Sequence, residues 1–511
     1  MSRVQNSIKN TSYAFVMQFL NILFNFVFRT VVIKVLGIQV QSLNGLFTEV
    51  LAALSLAELG VGSAIVYNLY KPLAEGDTEK VKQLMQLFRK AYRIIAATTF
   101  VAGTICVPFI PLIVKEVDYS TTYIQFVYML FVIELSVSYL FSYKISLITA
   151  DQKTYIFTKI DAVVKIVSLA VKIAVIVIAR QYILYLIASI IVTVVNNMIK
   201  SNIVDRQYSW LKDKCTPLPK EERAHVFSNI KNIFIKSLSG KITNSTDNIL
   251  ISILVNTIQV GYYTNYSLIL GVFRQIANQI AYSGVVASLG NMMAQESKEK
   301  CIKVFYRLQY LFFFIAVVSA VAIQVCIAPF IIGVWRLGGE EFLLPDLVLS
   351  ILCLNLFIEI SNRPLWAIME VSGLFKYDKW ASIAGSIVNL IVSILLGRWI
   401  GMAGIFIGTF ITYVIQAVIK AYLLFRMKFG VTPIKYYLIQ VASFAVYEGL
   451  LVLVKFICGI IILDNACYQF LVNGIVATGL IVVALLIGTC KMEQFRYYKT
   501  LVLEFIKSRR K

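Results

Sequence analysis

Fourteen charged residues lie inside strongly apolar stretches of this 511-residue chain, where a charge is costly if it faces lipid. The cations are Arg29, Lys165, Lys172, Lys241, Arg274, Arg363, Lys420 and Lys455, and the acids are Glu49, Glu58, Glu134, Asp247, Glu359 and Glu448. At ~3 kcal/mol each near the middle of a bilayer, fourteen lipid-facing charges would cost on the order of 40 kcal/mol, several times a typical folding stability. We therefore expect most of them to face a hydrated interior, form ion pairs or extend to the headgroups.

Four of the predicted helices carry polar residues along one face. The four stripes are Gln18, Asn21, Asn25 and Arg29; Asp161, Lys165, Ser168 and Lys172; Lys241, Asn244, Asn248 and Ser252; and Ser267, Gly271, Arg274 and Asn278. Hydrogen bonding between neighbouring helices accounts for asparagine and serine at such positions. It accounts poorly for Arg29 and Arg274, because neither has an acidic residue one turn away on its own helix.

The excess of cations over acids among these residues suits an anionic ligand, and a guanidinium group matches phosphate oxygens with two parallel hydrogen bonds. We expect a central cavity that binds a phosphate-bearing molecule. The candidate ligands are Arg29, Arg274, Lys241, Lys165, Lys172, Asn25 and Asn278. Buried ion pairing is the alternative role for both arginines.

Three acids are candidates for coupling transport to an ion gradient, namely Glu58, Asp247 and Glu359. A carboxyl group in apolar surroundings can bind and release a proton, or hold Na⁺, and pairing with a cation is the alternative. Glu359 and Arg363 stand four residues apart, so an ion pair within one helix is open to them. Lys420 and Lys455 lie near the ends of predicted helices, which favours long side chains that reach the headgroups.

Composition indicates the elements that position these residues: 59% of the chain is hydrophobic and its mean hydropathy is +0.78. This is a polytopic all-α membrane protein, since apolar stretches of about 20 residues recur along the whole chain. The fourteen predicted spans are about 11–33, 43–66, 91–114, 123–145, 161–179, 182–202, 234–256, 262–290, 307–328, 346–368, 380–396, 402–424, 437–461 and 470–490. An amphipathic segment before residue 91 and a second one after residue 490 are predicted to lie along the membrane interface.

The basic residues are distributed unevenly between the two sides of the membrane. Loops on the side of the termini carry about 35 of the 48 lysines and arginines, and the opposite loops carry about 5, so both termini are predicted to be cytoplasmic. The opposite-side residues are Lys34, Lys115, Arg180, Arg336 and Arg398. Anionic headgroups explain the net charge of +21, and no nucleic acid is needed.

A weak internal repeat, at a shift of about 221 residues, predicts two parallel six-helix lobes. Residues 1–202 form the first lobe, 203–233 a cytoplasmic linker, 234–424 the second lobe, and 425–511 two further helices with a basic tail. Transporters built from such repeats bind their substrates between the two halves.

Sequence motifs of enzymes are absent from the chain. It has no GxxxxGK[ST] loop, HExxH or GxSxG motif, and its single histidine and its eight cysteines without CxxC spacing predict neither a metal site nor a disulfide framework. We therefore expect a transporter and not an enzyme. We expect it to have no cofactor and to be driven by an ion gradient or by the gradient of its substrate.

Several runs of residues resemble a known family. They are "LGIQVQSLNGLFTEVLAALSLAELGVGSAIVYNLYKPLAEGD", "NSTDNILIS", "VGYYTNYSLI" and "SGLFKYDKW". Together they resemble the polysaccharide-transport branch of the multidrug/oligosaccharidyl-lipid/polysaccharide exporter superfamily, the flippases of the O-antigen, capsule and teichoic-acid type. The resemblance implies a multi-pass protein of the bacterial inner membrane that flips an undecaprenyl-pyrophosphate-linked oligosaccharide by alternating access.

The same resemblance implies the other expected properties of the chain. Lipid II flippases carry cavity-facing arginines in helices 1, 2 and 8, and Arg29 and Arg274 occupy similar places, whereas helix 2 has Glu49 and Glu58 instead. A surface polysaccharide or teichoic-acid unit is therefore expected ahead of lipid II. A drug/cation antiporter of the same fold is the other alternative. The expected partners of this monomer are the lipid-linked glycan, membrane lipids, and a polysaccharide polymerase or glycosyltransferases.

Overall fold

The computed structural model describes residues 3–58, 61–153, 155–213, 215–224, 226–228, 230, 246–282, 292–293 and 295–509. The regular secondary structure of this part consists of helices and includes no strand, which confirms the all-α prediction. Ten of the described helices are long and apolar enough to cross a membrane, so the protein is a multi-pass membrane protein. The other four predicted spans begin near residues 11, 43, 234 and 262. Each of them overlaps a helix in the described part of the chain, in whole or in part.

The chain divides into two compact units, Met1–Gly261 and Tyr262–Lys511. The helices of the first unit are α1 (Arg3–Leu36), α2 (Ile38–Leu54), α3 (Val61–Glu75), α4 (Thr78–Cys106), α5 (Ile110–Ile113), α6 (Thr121–Ala150), α7 (Tyr155–Ala179), α8 (Tyr182–Gln207) and α9 (Asp247–Leu254). The boundary between the units falls within α10 (Thr257–Tyr282).

The remaining helices belong to the second unit. They are α11 (Lys298–Pro329), α12 (Asp346–Ser361), α13 (Arg363–Val371), α14 (Phe375–Ile400), α15 (Met402–Tyr422), α16 (Ile434–Ile460), α17 (Ala466–Thr489) and α18 (Glu493–Arg509), with a π-helical segment Leu423–Phe429 after α15.

Side-chain caps fix the start of several of these helices. The Asp77 carboxylate accepts a hydrogen bond from the Lys80 amide at 2.9 Å, and the Ser120 hydroxyl accepts one from the Tyr123 amide at 3.3 Å. Asn465 caps α17 in the same way. Each cap satisfies a backbone N–H that has no partner within the first turn of the helix, so polar residues at these positions define where the helices begin.

The core of the first unit lies between α3, α4, α6 and α8. Val81, Leu84 and Phe88 of α4 are buried in it against Leu147 of α6 and Val204 of α8. The prediction of a separate interfacial helix before residue 91 is therefore wrong, because this amphipathic segment is the first part of α4 and its apolar face packs on protein. An apolar helix face can be buried by protein as well as by lipid, and the sequence pattern is the same in both cases.

The predicted continuous span 43–66 is also interrupted. The α-helix ends at Leu54 and is followed by a 3₁₀ turn, Ser55–Glu58, before α3 begins at Val61. The Ser55 hydroxyl donates to the carbonyl of Ala52 at 2.7 Å, which offers the backbone a local alternative to the α-helical pattern. Glu58 thus lies at a break in the helix.

Helix α9 groups with the first unit, whereas the internal repeat assigned it to the second lobe. The Asn248 amide donates to the carbonyl of Gly45 at 3.2 Å, and the Ser252 hydroxyl donates to that of Ile113 at 2.7 Å. The ammonium group of Lys115 donates to the carbonyl of Ile253 at 2.5 Å. These polar contacts hold α9 against α2 and the segment after α4.

In the second unit an aromatic core joins α11, α13, α16 and the π-helical segment. The Phe305 ring lies 5.3 Å from that of Phe425 and 5.9 Å from that of Tyr436. Helices α14 and α15 approach closely, because a Cβ atom at Gly404 or Gly408 would overlap the α14 helix at residues 396 and 393 respectively.

Lys420 is buried in this unit and forms an ion pair with Asp378 of α14 at 3.0 Å. The expectation that it reaches the headgroups is wrong, because its partner lies on a neighbouring helix and not in its own sequence surroundings. Lys455, the other lysine with this expectation, is exposed.

Candidate functional site

An arginine cluster, defined here as Arg274, Glu359 and Arg363, joins three helices of the second unit. Arg274 Nε of α10 lies 2.8 Å from Glu359 Oε2 near the end of α12. Arg363, the first residue of α13, forms an ion pair with the other carboxylate oxygen, Oε1. Only 8% of the Glu359 side chain is exposed, so one buried carboxylate holds two guanidinium groups at once.

The interruption between α12 and α13 positions this cluster. Pro364 has no backbone N–H and disfavours a helical conformation at Arg363, so the α-helix cannot continue regularly through this point. The Asn362 backbone N–H and side-chain amide both donate to the Ile358 carbonyl, at 3.1 and 2.8 Å. Gln309 of α11 donates to the carbonyl of Ser361 at 2.8 Å.

Two aromatic residues complete the surroundings of the interruption. The guanidinium carbon of Arg363 lies 5.0 Å from the centre of the Trp366 ring, within the range of a cation–π interaction. The Tyr436 hydroxyl donates a hydrogen bond to Asn362 Oδ1. Protein groups therefore support Arg363 and the interruption from two sides.

The arginine cluster carries two positive charges and one negative charge. An arginine presents five N–H donors, and one carboxylate cannot occupy those of both residues. Arg363 Nε has no hydrogen-bond partner within the described residues. The cluster therefore retains one net positive charge and donors that fit the oxygens of an anion such as phosphate.

Asn278 was predicted with Arg274 on the same stripe of α10, and the described structure places it one turn further along the helix. Its Oδ1 atom is buried and accepts no hydrogen bond from the residues that the structure describes. A buried polar atom of this kind needs a partner, and a ligand or water can supply one.

In the first unit α1 and α7 bring together several of the predicted residues. The ammonium group of Lys165 donates to Asn21 Oδ1 at 2.8 Å and thereby links the polar stripes of the two helices. Arg29 is half-buried on α1, and Asn25 is exposed. Lys241 of the predicted set lies outside the described residues, as does the side chain of Gln18.

Lys172 of α7 is more closely surrounded than Lys165. Its ammonium group lies 5.9 Å from the centre of the Tyr185 ring, and its charge interacts with that of Glu134 on α6. Glu134 also accepts hydrogen bonds from the hydroxyls of Ser189 and Thr193, both at 2.8 Å. Lys172 thus has an acidic neighbour on another helix, a partner that the spacing along α7 did not reveal.

The three acids proposed for ion coupling have different surroundings. Glu58 Oε1 accepts a hydrogen bond from the Tyr92 hydroxyl at 3.2 Å, beside the core of the first unit. Asp247 is the first residue of α9 and is half-buried. Glu359 belongs to the arginine cluster, where its carboxylate neutralises guanidinium charge.

Two further ion pairs, largely shielded from solvent, have partners on different helices, which sequence reasoning did not assign. Lys200 of α8 binds Asp161 of α7 at 2.5 Å, and Lys144 of α6 binds Asp205 of α8 at 2.6 Å. The sequence pattern places Asp161 on one stripe of α7 with Lys165, but the ion-pair partner of Asp161 is Lys200 of α8. The missing signal was the packing of neighbouring helices, which no single-helix pattern contains.

Comparison with known proteins gives matches to the structure of this chain but not to its sequence. No protein-family model and no curated protein matches the sequence. In contrast, the structure matches that of MurJ, a lipid II flippase in an inward closed conformation, with a TM-score of 0.70 at 16% identity, over 94% of this chain and 99% of that protein.

Two other solved structures match less closely. A multidrug resistance MATE family transporter of the MOP superfamily, in an inward-facing conformation, gives a TM-score of 0.60 at 13% identity, over 80% of this chain and 94% of that protein. A MOP superfamily transporter from Pyrococcus furiosus gives 0.51 at 11% identity, over 80% of this chain and 95% of that protein.

The chain has the fold of the MOP exporter superfamily. The fold that the resemblance to this superfamily implies is therefore confirmed. The matched proteins named above are a lipid II flippase and two transporters.

Proposed function

We propose that this chain is a flippase that moves an undecaprenyl-pyrophosphate-linked oligosaccharide across the bacterial inner membrane by alternating access. The MOP fold supports transport of a substrate across a membrane. The observation that carries the choice of substrate is the arginine cluster, in which Glu359 is shared by Arg274 and Arg363 and leaves one net positive charge.

The pyrophosphate group is the part of this substrate that fits the cluster. Glu359 holds both guanidinium groups in place before the substrate binds, so little side-chain entropy is lost on binding. The phosphate oxygens then accept hydrogen bonds from the donors of Arg274 and Arg363 that do not face Glu359. Asn278, one turn from Arg274, supplies an additional polar group whose amide can donate to a phosphate oxygen.

In the first unit we assign the same chemistry to Arg29 and Lys165. The Lys165 ammonium group has three N–H donors, and Asn21 Oδ1 accepts one of them. Lys172 is a weaker candidate because Glu134 already compensates its charge. Lys241 and Asn25 complete the proposed set, and both termini are assigned to the cytoplasm from the distribution of basic residues.

Transport against a gradient needs an energy source, and we propose that Glu58 couples it to H⁺ or Na⁺. Glu58 lies at the interruption between α2 and α3, where the backbone is already irregular, and Tyr92 contacts its carboxylate. Asp247 is a second candidate. Glu359 is a poorer one, because protonation would leave two buried guanidinium groups beside a neutral carboxyl.

Lipid II is the second candidate substrate, because the MurJ structure matches at a TM-score of 0.70 over 94% of the chain. Glu49 and Glu58 argue against it, since they stand in the predicted second span, where the resemblance to lipid II flippases implied an arginine.

A reconstituted assay tests both substrates. Proteoliposomes containing the full-length protein and a fluorescent undecaprenyl-pyrophosphate oligosaccharide are treated with an impermeant quencher, which reports the fraction of probe in the outer leaflet over time. We expect translocation by the wild type and a loss of roughly tenfold or more in Arg274→Ala, because a hydrogen bond to a charged group contributes about 1.5–3 kcal/mol. Arg274→Lys is expected to retain an intermediate rate.

The matched control is Arg398→Gln, which removes an exposed arginine of the same unit and is expected to leave the rate unchanged. A wild-type rate in Arg274→Ala would contradict the assignment of the cluster, and no translocation of any polyprenyl-linked probe would contradict the flippase. Faster transport of fluorescent lipid II than of other glycan probes would favour the second candidate.

A further inference from the structure

A polar cavity of about 290 Å³ lies at one end of the first unit. It is formed where the connection between α1 and α2, the segment before α6 and the turn between α7 and α8 meet, and its walls include Val40, Tyr119, Tyr123, Arg180, Gln181 and Tyr182. The distribution of basic residues assigns these connections to the side opposite the termini, which is the outer side. The arginine cluster and the cations of α1 and α7 do not line this cavity.

Tyrosine rings form two ordered pairs at the cavity. The rings of Tyr119 and Tyr123 stack at 4.8 Å with 19° between their planes. Those of Tyr182 and Tyr185 stack at 6.0 Å with 12° between their planes, and the Tyr182 hydroxyl donates to Asn44 Oδ1 at 2.9 Å. Stacking and this hydrogen bond fix the rings, so the cavity has a preformed aromatic wall.

A reciprocal pair of hydrogen bonds holds the frame of the cavity together. The side-chain amide of Gln39 donates to Asp118 Oδ2 at 2.5 Å, and the backbone N–H of Asp118 donates to Gln39 Oε1 at 3.1 Å. These bonds join the first turn of α2 to the segment that carries Tyr119. The cavity walls from the two segments are therefore fixed relative to each other.

Arg180 supplies the charge of the cavity. Its side chain is exposed and forms no hydrogen bond, ion pair or ring contact with the residues that the structure describes. Its backbone φ is 50°, a left-handed conformation that is unfavourable for a non-glycine residue and easy for glycine.

The combination of a small polar volume, aromatic faces and a guanidinium group fits a sugar ring with an anionic substituent. Sugar rings present C–H groups that pack on aromatic faces, and their hydroxyls exchange hydrogen bonds with tyrosine and glutamine side chains. A guanidinium group binds a carboxylate or phosphate through two parallel hydrogen bonds. The volume lies at the lower end of ligand pockets, roughly 300 Å³, so one sugar residue is the appropriate size.

We propose that this cavity is a binding subsite for one acidic sugar residue, a uronic acid or a sugar phosphate, with Arg180 binding the anionic group and Tyr119 and Tyr123 packing on the ring. The inference rests on the proposed function, because it assigns the sugar to the glycan of the lipid-linked substrate after it reaches the outer side. It also narrows that function to glycans that contain an acidic sugar.

Saturation-transfer NMR on the full-length protein in phosphatidylcholine nanodiscs tests the subsite, with glucuronate, glucose 1-phosphate, glucose and inorganic phosphate as probes. We expect saturable transfer to the ring protons of glucuronate and glucose 1-phosphate, with glucose at least tenfold weaker. Arg180→Gly and Tyr123→Ala should each reduce glucuronate binding about tenfold or more, and Arg398→Gln should leave it unchanged. Glycine accepts the φ of residue 180, so loss of binding in Arg180→Gly cannot be attributed to strain in the turn.

Three results would overturn the subsite: equal binding of glucose and glucuronate, undiminished binding in Arg180→Gly, or displacement of glucose 1-phosphate by an equal concentration of inorganic phosphate, which would indicate a simple anion site. A further arm replaces part of the phosphatidylcholine with phosphatidylinositol. If this lipid removes glucuronate binding, the cavity binds a lipid headgroup and the assignment to the transported glycan is wrong.

The translocation assay on the same preparation separates this inference from the proposed function. If the wild type translocates the polyprenyl-linked probe but binds no glucuronate, only the subsite is wrong. If it binds glucuronate through Arg180 but translocates no polyprenyl-linked probe, the proposed function is wrong and the assignment to a transported glycan fails with it.

Discussion

Arg274 of α10 and Glu359 of α12 form an ion pair at 2.8 Å, and Glu359 is shared with Arg363. Because both guanidinium groups are paired with one carboxylate, removal of the carboxylate and removal of one arginine have different effects on the charge of the cluster. Loss of Arg274 leaves a neutral Glu359–Arg363 pair. Loss of Glu359 leaves two cations side by side in a largely buried position.

Glu359→Gln is expected to destabilise the protein by about 3–5 kcal/mol, since breaking a buried ion pair leaves uncompensated charge. The measurement is thermal unfolding of the purified protein in detergent, where we expect the midpoint to fall by several degrees. The control is Glu448→Gln, because Glu448 is also in a spanning helix but has no ion pair within the described residues. Equal midpoints for Glu359→Gln and the wild type would show that the cluster does not contribute to stability.

The buried pair of Lys420 and Asp378 permits a double-mutant test. Asp378→Leu alone should destabilise the protein by roughly 3–5 kcal/mol, because it leaves the buried Lys420 charge without a partner, and Lys420→Met should cost less because Asp378 is only half-buried. The double variant should lie within about 1 kcal/mol of the wild type, since both charges are then replaced by apolar groups. Additive losses in the double variant would mean that the two residues act independently.

The docking of helix α18 on α11 is expected to weaken at low pH. Glu493 binds Lys303 at 2.7 Å and Arg307 at 3.3 Å, and hydrogen bonding from Lys303 and then Arg307 lowers its pKa below the usual 4.5. A carboxylate with a lowered pKa contributes stability above its unfolded pKa and loses that contribution as the pH falls through its folded pKa. Docking should therefore be constant from pH 8 to about pH 5 and weaken below about pH 4.5.

Hydrogen exchange of α18, corrected for the intrinsic effect of pH, measures this weakening. Glu493→Gln should show the fast exchange at pH 7 that the wild type shows only at low pH. Glu504→Gln, which changes an exposed acid of the same helix, should behave as the wild type. Slow exchange in Glu493→Gln at pH 7 would assign docking to other contacts, such as the hydrogen bond from the Tyr498 hydroxyl to the Arg307 carbonyl.

Glu58→Gln is expected to abolish the dependence of translocation on a proton or sodium gradient, because glutamine neither binds a proton in this range nor balances the charge of Na⁺. Tyr92→Phe keeps the carboxylate and removes only the hydrogen bond to it, so the gradient dependence should remain while the rate changes by less than about tenfold. The assay is the proteoliposome translocation with and without an imposed gradient. An unchanged response in Glu58→Gln, with loss in Asp247→Asn, would move the coupling role to α9.

The sequence predicted the residues of the arginine cluster better than their contacts. The four-residue spacing of Glu359 and Arg363 indicates that an ion pair between them is possible, because residues at this spacing lie on successive turns of a helix. The pairing of Glu359 with Arg274 could not be derived, since it depends on how α10 packs against α12. The same reason explains why Lys420 was assigned to the headgroups: Asp378, its partner, lies on another helix.

Apolar periodicity likewise predicted where helices occur but not what covers them. The segment that contains Leu84 and Phe88 has the pattern of an interfacial helix, yet it is buried in the core of the first unit. The break at Ser55–Glu58 left a weak signal, a serine and a charged residue close to glycines in "SLAELGVG". A break of this kind depends on local hydrogen bonds such as that of Ser55, and hydropathy does not record them.

The interruption at Asn362 differs mechanically from the one at Ser55–Glu58. Hydrogen bonds from Asn362, Gln309 and Tyr436 stabilise the interruption at Asn362, so this connection is rigid and resists bending. A rigid connection makes α12 and α13 move together. If the proposed transport cycle bends helices, the bending is then expected to concentrate elsewhere, and Glu359 and Arg363 on either side of this interruption keep their relative positions.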